Sequence, residues 1–268
     1  MLLAIDIGNT SIHNGIFDKK ALKRVFRMPA YSGDLAGDYE VKLKPYLKVI
    51  DSVIVTSVVP VALKNVEKAI KKTINRNCIV VGRDVDSGVK NLYKNPEQVG
   101  SDRLVNARAA YELYGGACIV ADFGTAITID IVNKKRQYIG GVIAPGPGIS
   151  LWALYEKTAL LPKVIIKKPK GILGKETKES MLIGVIYGFS SLCDGIVSKL
   201  KKRYSRNAKV IATGGFSELI GPYCESIDKI DPELTLKGLA IIANSNQTLH
   251  SLNVGSVKKL SCRRMWFG

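Results

Sequence analysis

A chain of 268 residues is longer than one hydrophobic core usually supports, so two cores are expected. With 46% apolar and 24% charged residues it has the balance of an ordinary folded protein, which excludes disordered and collagen-like classes. The net charge of +17 is concentrated in residues 163–178, 199–209 and 249–268, and such patches attract any polyanion, nucleotide or nucleic acid, without choosing between them.

Leu2 to Ile7 is a short apolar run rich in strand formers. It ends at Gly8-Asn9-Thr10, and Ile12 to Phe17 follows as a returning strand, so the chain opens with a hairpin. Asp6 interrupts the first run too early for a signal-peptide core, and no apolar run is read as reaching the roughly 20 residues of a membrane span. A cytoplasmic location without a membrane partner is therefore expected. Ser52 to Val58 and Cys78 to Val81 read as buried strands separated by a helix over Ala62 to Asn75. A further helix begins near Ser101, with Leu104, Val105, Ala107, Ala109 and Tyr111 on or near one face. Residues 118–132 repeat the opening design: an apolar strand reaches Asp122, turns at Gly124-Thr125, and returns as Ile127 to Val132. Beyond it lie a long helix over Lys178 to Tyr204, a strand over Val210 to Ala212, a helix after Gly215 and a last helix over Leu236 to Asn244.

The duplication places a boundary near Gly115-Gly116, giving units 1–115 and 116–248, with 249–268 as a basic tail without clear periodicity. Hairpins followed by alternating strands and helices indicate an α/β class with mixed sheets. The five cysteines, Cys78, Cys118, Cys193, Cys224 and Cys262, are far apart and form no Cys-x-x-Cys pair. With only His13 and His250 beside them, neither a disulfide framework nor a histidine-rich or zinc site is expected.

Two loops carry the chemistry. A strand ending in Asp-x-Gly-x-Thr, or its close variant, lets backbone N–H groups approach a phosphate without Cβ interference, offers a hydroxyl, and leaves a carboxylate to hold Mg²⁺ directly or through water. Asp6-x-Gly8 and Asp122-x-Gly124 stand in matched contexts, and Thr213-Gly214-Gly215 follows another apolar strand, so three strand-end loops can converge on one nucleotide. In Val99-Gly100-Ser101-Asp102-Arg103, Ser101 or Asp102 can serve simply as a helix N-cap. Arg103 fits that reading poorly, because a cation in the first turn opposes the helix dipole. Asp102 can instead accept the proton of an attacking alcohol, while Arg103 grips a carboxylate in bidentate fashion. An ordinary Asp–Arg structural pair remains the alternative.

The paired loops and the glycine pair resemble the actin-like ATPase superfamily, in which two ribonuclease H-like domains clamp ATP in the cleft between them. The chain further resembles type III pantothenate kinase. That resemblance runs through Asp6-Ile-Gly-Asn-Thr10, Tyr93-x-x-Pro96-x-x-Val-Gly-Ser-Asp-Arg103 and Asp122-Phe-Gly-Thr-Ala126. It continues in Gly140-Gly-Val-Ile-Ala-Pro-Gly146, Thr158-Ala-Leu-Leu-Pro162, Thr213-Gly-Gly215 and Asp231-Pro-Glu-Leu-Thr-Leu-Lys-Gly-Leu239.

The resemblance implies ATP-dependent phosphorylation of the primary hydroxyl of pantothenate to 4'-phosphopantothenate, the first step of coenzyme A biosynthesis. It implies that Asp6, Gly8, Asn9, Thr10, Gly124 and Thr125 bind the ATP phosphates, with Mg²⁺ at Asp6, directly or through water. Asp122 would hold a monovalent cation, potassium or ammonium, and Gly214 and Gly215 would lie against the adenosine. Asp102 would be the general base, and Tyr93, Gly100, Ser101, Asp102, Arg103 and Thr177 would line the pantothenate pocket. A homodimer is implied as well. Ser101 stands where the family usually has alanine, adding a hydroxyl beside the base. Two competing readings are a related kinase acting on another small molecule and a nucleic-acid-binding regulator on this fold; specific nucleic-acid binding is not expected.

Overall fold

The structure, a computed structural model, describes residues 1–245, so the basic tail, His250 and Cys262 lie outside the described residues. In the first half, β1 (Leu2–Ile7), β2 (Ser11–Asp18) and β3 (Ala21–Pro29) form an antiparallel meander. Then follow α1 (Leu35–Leu43), β4 (Ser52–Ser57), α2 (Pro60–Ile74) and β5 (Cys78–Val80). Their sheet has the order β3-β2-β1-β4-β5, with β4 and β5 parallel to β1. The second half holds β6 (Lys90–Asn91), α3 (Ser101–Tyr114), β7 (Cys118–Phe123), β8 (Ala126–Val132), β9 (Gln137–Pro145) and α4 (Pro147–Lys157). It ends with α5 (Thr177–Arg203), β10 (Lys209–Thr213), α6 (Ser217–Ile220), β11 (Lys229–Ile230) and α7 (Leu234–Ser245).

The second sheet runs β11-β10-β7-β8-β9-β6. Setting β6 aside, this is the first sheet's order in duplicate: a three-stranded meander with two further parallel strands beside its first member. The matched hairpins β1–β2 and β7–β8 are the ones legible in the sequence. The third strands, β3 and β9, were not expected; β3 shows only a broken burial alternation, and β9 carries Gly140 and Gly141 inside it.

Period-two alternation explains where the acids go. In β1, Leu3, Ile5 and Ile7 enter the core beneath α1 and α2, whereas Leu2 and Ala4 enter the core shared with α7. Asp6 is next in the second set. In β7, Ile119, Ala121 and Phe123 pack towards α5, whereas Cys118 and Val120 face the core of α3, and Asp122 follows on that face. Each sheet therefore ends a buried strand with a carboxylate on its inner face, towards the helices α3 and α7.

Two segments pass from one half to the other. β6 joins the edge of the second sheet by pairing with β9, and α7 covers the first sheet through Leu236, Leu239, Ala240 and Ile242. Helix α7 also lies close against α3: a β-carbon on Gly238 would stand 2.6 Å from the Val105 carbonyl oxygen, so only glycine allows this approach. The long helix α5 contains a stretch apolar and long enough to cross a membrane, which the sequence reading missed because single polar residues interrupt it. Leu182, Ile186, Cys193 and Val197 instead bury one side of it against the second sheet.

Candidate active site

The two loops meet. Gly8 N–H bonds the Ser11 carbonyl and Gly124 N–H bonds the Ala126 carbonyl, both at 3.1 Å, so the turns after β1 and β7 share one construction. At their tips Thr10 Oγ1 lies 3.0 Å from Thr125 Oγ1, which joins the halves across a crevice. Gly146 supports the second loop: its N–H donates to the Thr125 carbonyl, and a β-carbon there would fall 2.3 Å from that oxygen. Gly214 adopts φ +90°, and a β-carbon on it would fall 2.2 Å from Asp122 Oδ1. The glycine pair thus packs directly beside the second loop's carboxylate.

Asp122 Oδ2 accepts a bond from Asn106 Nδ2 at 3.1 Å, and Asn106 is held in turn by the Thr235 hydroxyl at 2.8 Å. Burial is the main cause that raises the Asp122 carboxyl to about 7; the charges of Asp102 and Asp130 add to it and the Asn106 bond opposes it. Asp6 is likewise held well above the usual carboxylate range, first by burial, then by Asp102 and Asp122, with Arg27 acting the other way. Asp102 is raised by burial, against the bond from the Arg103 backbone N–H. Three carboxyls that oppose one another's ionisation in one crevice favour occupation by cations. Among the described residues, no three Asp, Glu, His or Cys side chains gather tightly enough to hold a metal ion alone. A divalent ion would have to complete its shell with phosphate oxygens and water, as Mg²⁺ commonly does.

Asp102 folds back over the start of α3, where Arg103 N–H donates to its Oδ1 at 2.8 Å. Gly100 leaves the room: a β-carbon there would be 2.4 Å from that oxygen. Ser101 joins the helix start to the end of β4, 2.7 Å from Thr56 Oγ1 and donating to the Ser57 carbonyl at 3.3 Å. The additional hydroxyl therefore bonds the neighbouring strand and not the base beside it.

Arg103 has a partner that sequence reasoning missed. Its Nε lies 3.0 and 3.2 Å from the two carboxylate oxygens of Asp130, and its Nη2 lies 2.5 Å from Oδ1. Tyr138 and Thr128 hydroxyls donate to the same carboxylate at 2.7 and 3.1 Å, and the Tyr138 ring lies 5.7 Å from the guanidinium carbon. The only sequence signal was an acid inside the apolar strand Ile127 to Val132. Tyr93 stands at the edge of this group, its ring 6.4 Å from that of Tyr138. Thr177 opens α5 as an exposed residue and forms no bond with the group.

Two lobes of duplicated sheet order, with paired strand-end loops and the Asp102 carboxyl meeting in the crevice between them, give the chain a fold of the actin-like ATPase class. The chain belongs to the type III pantothenate kinase family, whose model matches residues 2–199. It is 42% identical over 253 residues to a type III pantothenate kinase of Moorella thermoacetica, a match covering 92% of this chain and all of that one. Among solved structures it is similar to a chain from Campylobacter jejuni named for a Baf family transcriptional activator, with TM-score 0.59 at 21% identity over 92% of this chain and all of that one. It is also similar to a protein from Sinorhizobium meliloti named for a 2-dehydro-3-deoxygalactonokinase, with TM-score 0.57 at 13% identity over 93% of this chain and 98% of that one. Identities this low speak to the fold alone.

Proposed function

We propose that this protein transfers the γ-phosphoryl group of ATP to the primary hydroxyl of pantothenate, giving 4'-phosphopantothenate and ADP at the entry to coenzyme A synthesis. The observation that carries the reading is the contact between Thr10 and Thr125 with Asp6, Asp102 and Asp122 around it, supported by family membership. N–H groups and hydroxyls of Asn9, Thr10 and Thr125 take the phosphates, Gly8 and Gly124, whose own N–H groups close the turns, let the phosphates approach without a β-carbon in the way, and Gly214 and Gly215 form a flat floor for the adenosine. The pantothenate alcohol attacks the γ-phosphorus, the bond to the ADP oxygen breaks, and the alcohol proton passes to Asp102. Placement and charge neutralisation supply most of the rate, since the transition state is loose and in line.

The donor set suits cations. Asp6 would hold Mg²⁺ directly or through water. Asp122 would hold a potassium or ammonium ion, and the buried Thr213 hydroxyl, which has no hydrogen-bond partner among the described residues and stands beside Asp122 in the β7–β10 register, offers a second oxygen ligand. Bound there, these ions would supply neutralisation of phosphate charge. On the acceptor side, Asp130 occupies Nε and Nη2 of Arg103, which leaves Nη1 to meet the pantothenate carboxylate, with Tyr93 alongside. Thr177 would complete the pocket from the start of α5.

A homodimer belongs to the same reading. The outer side of α4 and α5 exposes Ile149, Trp152 and Tyr155 beside a groove containing Met181 and Phe189, and Gly184 and Gly188 leave open space on α5. A second copy covers this face, which accounts for the apolar length of α5 in a soluble, cytoplasmic enzyme. Units 1–115 and 116–248 are assigned to the two lobes, with β6 of the first unit pairing at the edge of the second sheet and α7 of the second reaching back as a strap.

The test is ADP release by the purified protein with ATP and Mg²⁺, with and without pantothenate and potassium. Release that depends on pantothenate and rises with potassium is expected. Equal release without pantothenate would overturn the acceptor assignment.

A further inference from the structure

Arg27 enters the site described above only as a nearby charge that opposes the rise of the Asp6 carboxyl. The strand registers pair Arg27 with His13, His13 with Asp6, and Asp6 with Thr56, so these four side chains form one row across β3, β2, β1 and β4 on the same face. That face looks across the crevice. His13 Nε2 lies 3.1 Å from Glu233 Oε2, just ahead of α7, and Thr56 bonds Ser101 at the start of α3. Arg27 Nη1 would be 3.3 Å from a β-carbon on Gly215, so the guanidinium reaches from the first sheet to the glycine loop of the second. It is exposed, and among the described residues it has neither a hydrogen bond nor an ion pair.

An exposed arginine left unpaired beside the Asp6 carboxyl is a waiting anion site. Its place in the row says which anion. Asp102 adjoins the β4 end of the row through Ser101, whereas Arg27 stands on β3, on the other side of Asp6. Strands lie about 4.8 Å apart, so the β3 and β4 backbones are three strand spacings apart, more than a triphosphate chain spans alone, and the long Arg27 side chain, extended towards Gly215, makes up the difference.

We propose that Arg27 binds the α- and β-phosphates of the nucleotide, the group that leaves as ADP, and thereby ties the first sheet to the Gly214-Gly215 loop when nucleotide is present. This rests on the kinase reading. Arg27 neutralises charge that builds on the leaving oxygen, while Asp102 serves the opposite end of the in-line transfer.

The experiment compares wild type, Arg27→Ala and Arg27→Lys by calorimetric binding of ATP, ADP and adenosine with Mg²⁺, and by steady-state kinetics. In Arg27→Ala, ATP and ADP should bind about 10- to 100-fold more weakly, as loss of a charge-assisted phosphate contact implies. Adenosine binding and the pantothenate KM should stay within about twofold. Arg27→Lys should recover part of the loss, because lysine keeps the charge without the fork. Unchanged ADP affinity in Arg27→Ala would overturn the proposal while leaving the kinase intact. An equal loss for adenosine would overturn it too, by assigning Arg27 a structural role. A wild-type protein that binds no adenine nucleotide would overturn the kinase reading itself.

Discussion

Asp130→Asn tests how the acceptor side is held. Arg103 is 7% exposed and Asp130 2%, and the carboxylate accepts three arginine contacts of 2.5 to 3.2 Å together with the Tyr138 and Thr128 hydroxyls. The amide removes the charge and turns one acceptor into a donor aimed at the guanidinium. Gly141, whose β-carbon would overlap both partners, shows how closely the pocket is fitted, so the arginine has little space to escape. Breaking one side of a buried pair costs about 3 to 5 kcal/mol, because the remaining charge stays desolvated and unpaired. At about 2 to 4 °C per kcal/mol for a chain of this size, Tm should fall by about 6 to 20 °C, read by circular dichroism or calorimetry. The double variant Arg103→Met, Asp130→Leu should recover much of that Tm, since apolar groups can replace a buried pair, yet it should not recover affinity for pantothenate. A Tm within about 2 °C of wild type for Asp130→Asn would refute the reasoning, because Arg103 would then not depend on Asp130 for its charge.

Asp102→Asn should keep ATP affinity and lower turnover by about two to four orders of magnitude, and wild-type turnover would remove Asp102 from the mechanism. The raised Asp102 carboxyl should place the acidic limb of the kcat/KM profile above the ordinary carboxylate range, so that activity rises with pH as the base ionises; a limb at the value of a solvated aspartate would contradict the burial argument. Asp122 titrates near 7 in the folded chain and near 3.8 in its ordinary state, so between these values the native protein keeps a proton that the unfolded chain has lost. Stability without ligands should therefore be greatest at low pH within this window and fall as pH rises through it, by up to about 4 kcal/mol. Asp122→Asn should flatten that fall, and a Tm slope from pH 5 to 8 identical to wild type would reject it. Gly146→Ala drives a β-carbon against the Thr125 and Gly124 carbonyls and should raise the ATP KM by about tenfold or more, whereas an unchanged KM would mean that the loop shifts freely.

Short-range patterns were enough to locate the two hairpins and their carboxylates. Alternation over Leu2 to Ile7 and over Cys118 to Phe123 is a local property of a strand, and with it the face taken by Asp6 and Asp122 follows from counting residues. The start of α3 near Ser101 was equally legible, but its cap was not: Gly100 is the N-cap and no side chain caps it, so neither Ser101 nor Asp102 serves as the N-cap the sequence allowed. Partner choice was not legible. Arg103 could have met Asp102 beside it in the chain, and it meets Asp130, because a residue at the first turn of a helix points outward from its own N-terminus and finds the sheet packed there. The strap made by α7, the row that aims Arg27 at Gly215 and the bond between Thr10 and Thr125 likewise join residues far apart in sequence. Periodicity specifies which face of an element is buried; what that face meets is decided when the two sheets dock, by the shapes and charges that fit.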